Sequence, residues 1–108
     1  MTYRVRTTRR SEADAERVYW WIAKHEKQPL EALRWLDGLQ GAIDTLREHP
    51  LRCPLAPEGV FFGLEVRQRL FHRHRVLFIV EGDEVVVLHV RHGSRLPAKE
   101  EELGSGET

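Results

Sequence analysis

Apolar and polar positions alternate at the start of the chain, with Tyr3, Val5 and Thr7 on one side of "TYRVRTT" and Arg4, Arg6 and Thr8 on the other. That period of two predicts a half-buried strand. The period then lengthens. Ala15, Val18, Tyr19 and Ile22 share one helical face, and Ser11 with Asp14 three residues later reads as the N-cap of a helix running to about Lys27. Pro29 suits the first turn of a second helix, where its missing N–H is no loss. The connection is short, so the two helices are antiparallel neighbours. In the second helix Ala32, Leu36, Leu39, Ile43 and Leu46 recur at intervals of three and four, and this stripe stops before Pro50. Gly38 and Gly41 within it each cost about 1 kcal/mol relative to Ala. Either a close approach to the sheet or a partner explains them, or they are tolerated weakness.

"HPLRCPLAPEG" carries three prolines and no apolar period, so it is a loop leading from helices to sheet. Three strand patterns follow. "LEVRQRL" sets Leu64, Val66 and Leu70 against Glu65, Arg67 and Arg69, while "RVLFIVE" and "EVVVLHV" are apolar on both faces. Gly82 and Asp83 between the last two make a two-residue hairpin turn. The order β-α-α-β-β-β predicts an α+β domain, an antiparallel helical hairpin packed on a curved antiparallel sheet. Residues 1–95 form this single domain, and residues 96–108 are an acidic tail, a short helix or disordered.

Length and charge narrow the function classes. A chain of 108 residues supports one core. Its 17 Lys and Arg balance 17 Asp and Glu, so the global field attracts neither nucleic acid nor membrane, and any attraction must be local. The lone Cys53 excludes an internal disulfide and a multi-cysteine zinc site. No run approaches the roughly 20 apolar residues of a membrane span, and the first residues lack a signal peptide's apolar core. A cytoplasmic location is expected.

Local charge is concentrated late in the chain. From Leu64 to Arg95 there are six arginines and no lysine. Antiparallel pairing can bring Arg67, Arg69, Arg73, Arg75, Arg91 and Arg95 onto one surface with His72, His74, His89 and His92. Arginine's planar fork grips phosphate or carboxylate in two places at once. The competing reading is strand edges carrying solvated charge against aggregation, with some arginines paired to Glu65 and Glu81. No metal or cofactor is expected, because the histidines lack an acidic or cysteine complement at ligand spacing and a strand turns His89 and His92 to opposite faces. Cleavage of RNA would need a base, an acid and a cation; histidine suits the first two and arginine only the third.

The segment "LEVRQRLFHRHRVLFIVEGDEVVVLHVRHGSR" resembles the C-terminal half of the RelE/ParE superfamily, the toxins of type II toxin–antitoxin modules, including those of plasmid-stabilisation type. Arg67, Arg75 and the His92, Gly93, Arg95 ending match its ordered motifs, and Ala32, Trp35, Leu39, Ala42, Ile43, Leu46 and Pro50 match its helical half. The resemblance implies the fold derived above and a cognate antitoxin partner. It leaves two targets, the ribosome with its mRNA for a RelE-like endoribonuclease, or DNA gyrase for a ParE-like growth inhibitor with no hydrolytic site. In the nuclease branch, His92, Arg75 and Arg95 would be catalytic. The tyrosine that many RelE-like nucleases carry after the terminal arginine is replaced here by Leu96 and Pro97, and the "HGSR" ending is ParE-like. A non-catalytic gyrase inhibitor is therefore favoured over an endoribonuclease, with an inactive partner-binding module as a third reading. Arg67, Arg69, Arg73 and Arg91 would then bind target or partner, as would Trp20 or Trp21, which lie about 100 degrees apart on a helix and cannot both face the core.

Overall fold

A computed structural model describes residues 2–61 and 63–93; the tail at 96–108 and Arg95 lie outside them. The strands β1 (Arg4–Thr7), β2 (Arg67–Phe71), β3 (His74–Glu81) and β4 (Glu84–His92) and the helices α1 (Arg9–Trp20) and α2 (Pro29–Asp44) occur in the predicted order. The sheet runs β1-β4-β3-β2. It is mixed rather than wholly antiparallel, because β1 joins β4 in parallel. Such a pairing needs a long connection, and the two helices lie within it.

Thr8, and not Ser11, is the N-cap of α1. The Ser11 N–H donates to Thr8 Oγ1 at 3.2 Å and the Thr8 N–H donates to Ser11 Oγ at 3.0 Å, so Ser11 takes the reciprocal place usually filled by Glu or Gln. The helix thus starts three residues earlier than predicted. Regular α-helix ends at Trp20 and continues as a π-helical turn, Trp21–His25.

The main core lies between helices and sheet, where Leu39 and Leu46 meet Val76, Phe78, Val85, Val87 and Val90, with the Cys53 thiol buried beside them. A smaller cluster of Ala56, Val66 and Leu77, joined by Ile79 and Leu88, fills the opposite face under the proline-rich loop. Strands covered on both faces read as continuous apolar runs, which is why β3 and β4 do. At Gly38 a Cβ would sit 3.0 Å from the Phe71 ring, so close approach to the sheet explains that glycine, whereas Gly41 faces open space.

The facing of β2 is the reverse of the alternation reading. Leu64 and Leu70 are more than half exposed, and only Val66 of the expected apolar set is buried. Phe71 packs on the main core and Arg69 Nε donates to Thr45 Oγ1 at the end of the helical layer, 3.0 Å away. Phe71 belongs to the same alternate set as Arg67 and Arg69, and its ring fixes the strand's facing.

Candidate functional site

The histidine- and arginine-rich segments meet at one end of the sheet. His72 and Arg73 form a two-residue turn between β2 and β3 rather than the start of a strand, with His72 in the left-handed region at φ 52°. Across from this turn the Gly93 N–H donates to the Arg73 carbonyl at 2.7 Å. A Cβ on Gly93 would lie 3.2 Å from that oxygen, so the backbones pass too closely for a side chain to fit easily.

A β-bulge decides which side chains share a face. From Glu81↔Glu84 to Phe78↔Val87 the β3–β4 register is regular, and then one extra residue, Leu88, slips in so that Leu77 pairs with His89. Beyond it His74 stands opposite His92, and Arg75 opposite Arg91. Without the bulge His74 would oppose Arg91. A one-residue slip exchanges the faces of everything after it.

On the face away from the helices, Arg75 is locked. Its guanidinium donates to both oxygens of Glu58, at 3.1 and 2.7 Å, and to Gln68 Oε1 at 2.9 Å. Glu58 is fully buried under the loop, and Arg75 is nearly so. A bidentate pair with both partners desolvated holds its geometry rigidly, and removal of either member strands a charge.

On the helical face the same end of the sheet opens into a cleft of about 750 Å³ between α1, the π turn, Trp35 of α2, the His72–Arg73 turn and the end of β4. The His74 ring lies 5.3 Å from both His92 and Trp35, edge-on to each. Burial and the neighbouring His92 and His72 push the His74 pKa below the ordinary histidine value. Its Nδ1 is enclosed and has no hydrogen-bond partner among the described residues. Arg73 is exposed at the rim.

The back wall of the cleft is a buried polar cluster. β1 ends at Val87's level, leaving the next part of β4 without a neighbouring strand, and Asp14 of α1 fills the gap by accepting the Val90 N–H at 3.0 Å. The same carboxylate pairs with His89 Nδ1 and takes Arg10 and Arg17 at 3.2 and 3.3 Å. Burial by itself raises the Asp14 pKa, but the His89 hydrogen bond, the Val90 N–H and the charges of His89 and Arg10 outweigh it and hold the group below the usual carboxylate value. Arg91 lies 3.4 Å from His89 Nε2.

Of the six arginines expected on one surface, the five described ones are dispersed, and Arg95 lies outside the described residues. Arg67 donates to the Cys53 and Leu51 carbonyls and pairs with Glu65, pinning the proline-rich loop. Arg69 holds the end of α2, Arg75 and Arg91 are buried, and only Arg73 stands at the cleft rim. Trp20 and Trp21 are both about half exposed; Trp20 carries Lys24 over its ring and Trp21 stacks on His25 at 4.1 Å. Among the described residues no group of three His, Cys, Asp or Glu side chains could hold a metal ion, and no helix is long and apolar enough to cross a membrane. Sequence reasoning missed Asp14 as a buried anchor and passed over Glu58. Asp14 had a signal: it lies on the stripe through Ser11, Ala15, Val18 and Ile22, where an acid is out of place.

The family model of the ParE toxin of the type II toxin–antitoxin system parDE matches residues 5–97. The chain belongs to this family, within the ParE/RelE superfamily of toxins. Among solved structures it is similar to the chromosomal ParDE toxin–antitoxin system from P. aeruginosa, with TM-score 0.65 and 17% identity over 84% of this chain and 96% of that one. It is also similar to the RelBE2 toxin–antitoxin complex from Mycobacterium tuberculosis, with TM-score 0.59 and 24% identity over 85% and 99%. Both likenesses are of fold. No curated protein matches the sequence.

Proposed function

We propose that this toxin arrests growth by inhibiting DNA gyrase without hydrolysing nucleic acid, and that a cognate antitoxin neutralises it. The observation that carries the reading is the separation of Arg75 from His92. An endoribonuclease built on those residues needs cation and proton carrier around one phosphate, within a few ångströms. Here Arg75 is held by Glu58 on one face of the sheet while His92 meets His74 on the other. Arg91, the next cation along β4, is also buried. Antitoxin binding is consistent with the exposure of Val60, Leu64 and Leu70, all more than half exposed, which a partner could cover.

Inducible expression in a bacterium tests the reading, with DNA integrity and message integrity followed on one time course. Broken DNA with intact message is expected. Cleaved message before any DNA damage would overturn the proposal and return His92, with Arg95, to catalytic candidacy.

A further inference from the structure

We propose that the cleft on the helical face is a binding site for a nucleoside phosphate, with the phosphate held at Arg73, His72 and His92 and the base laid against Trp21. The site lies on the face opposite Arg75 and Glu58.

Charge is the first argument. The protein as a whole is neutral, yet the cleft gathers four arginines and four histidines against two carboxylates, Asp14 and Glu26. Asp14 is already saturated by Arg10, Arg17, His89 and the Val90 N–H, so Glu26 is the one acid it leaves to oppose an incoming anion. In the adjoining depression by His72, Arg34 and Glu31 are paired with each other and cancel. Arg73 has no hydrogen-bond or ion-pair partner for its side chain among the described residues. A guanidinium in that condition, beside clustered imidazoles, is an anion receptor in want of an anion.

Shape is the second. About 750 Å³ is the size of a small-molecule site and far exceeds one phosphate group. Trp21 and Trp35 line it, and flat aromatic faces favour a planar base over an acidic side chain. Trp21 already stacks on His25, which holds the indole for a base on its other face.

Proton linkage is the third. In the empty cleft His74 resists protonation because it is buried beside His92 and His72. A bound phosphate works against that depression, since it favours the charged form of the His74 imidazole. Binding is then coupled to proton uptake at His74, and affinity rises as pH falls from 7.5 towards 6, by less than about tenfold per unit because the phosphate itself begins to protonate near pH 6. Drawing the His74 ring toward the anion also gives its enclosed Nδ1 a chance of a partner.

The test is calorimetric titration of the purified full chain with adenosine 5′-monophosphate at pH 7.5 and pH 6.0, alongside adenosine, inorganic phosphate, a thymidine tetranucleotide and a glutamate-rich hexapeptide. Expected are saturable binding of the nucleotide, weaker binding of phosphate, none of adenosine, and tighter binding at pH 6.0. Arg73→Gln should weaken the nucleotide roughly tenfold or more, and Trp21→Leu should weaken it but leave phosphate unchanged. Arg4→Gln, far away in the ion pair with Asp83, should change neither. If the tetranucleotide binds more tightly than the mononucleotide and depends on Arg73, the natural source is a nucleic-acid strand; the reverse order means a free nucleotide, and both support the site. Preference for the hexapeptide, binding indifferent to Arg73→Gln, or no binding at either pH would overturn it.

Discussion

The two faces of the sheet at its His92 end carry the same kinds of residue and use them differently. On the face under the proline-rich loop Arg75 is committed twice over, to Glu58 and to Gln68, and is shut away from water. On the helical face Arg73, two residues earlier, is exposed and shares the cleft lining with His72, His74 and His92. Composition alone would rank these arginines equally. Their surroundings make one a strut and the other a receptor, so loss of function on mutating each would mean different things.

The largest effect that would sharpen this contrast is at the strut. Arg75→Ala leaves Glu58 charged and buried, which costs about 3–5 kcal/mol, a large share of the roughly 5–15 kcal/mol that holds a domain together. Urea denaturation should show the loss, and a double replacement, Arg75→Met with Glu58→Leu, should recover much of it. A toxin that loses activity through Arg75→Ala with its denaturation midpoint unchanged would break the comparison, because Arg75 would then be acting rather than bracing.

Next in size is Asp14→Asn. It weakens charge-assisted bonds to His89 and the two arginines, for about 1.5–3 kcal/mol. Because the Asp14 carboxyl is held below its ordinary value in the folded protein, its contribution is complete above the unfolded carboxylate range and is lost as pH falls through the lower folded value. The variant should therefore be less stable at pH 7 and lose less on acidification, a difference that thermal melts across pH 2–7 would register.

His74 gives a smaller effect in a different window. Its pKa is depressed in the fold, so the unfolded chain takes up the proton first and stability declines as pH drops below about 6.5. His74→Gln should flatten that part of the melting profile. Smallest is Arg73→Gln, which should move stability by no more than about 0.5 kcal/mol, as befits an exposed side chain without a partner among the described residues. A clear loss of stability there would mean that Arg73 braces the turn and is no receptor.

Much of the frame was legible because each element announces its own period. The valine-rich strands, the stripe on α2 and the Gly82–Asp83 turn depend on neighbours in sequence and needed no tertiary knowledge. The site did not work that way. Counting outward from Gly82–Asp83 in an unbroken ladder brings Arg91 beside His74, and the Leu88 bulge replaces it with His92. Nothing in "VVVLHV" marks where an extra residue will be accommodated. The facing of β2 was misread for a related reason: alternation shows that Arg67, Arg69 and Phe71 go together, but only the pocket between Gly38 and Trp35 says which way Phe71 turns. Glu58 was invisible because a proline-rich loop has no period at all, so its acid could be matched to Arg75 only in three dimensions.

The hydrogen bond from Val90 to Asp14 spans 76 positions in the chain, and the parallel pairing of β1 with β4 spans about as many. Contacts that distant are slow to form, because the loop between them must close first. A chain emerging from the ribosome amino end first would therefore hold β1 and α1 unfinished until β4 has emerged. The toxin becomes a folded object only once β4 is available, which leaves an interval in which its strands are exposed and its cleft has no back wall.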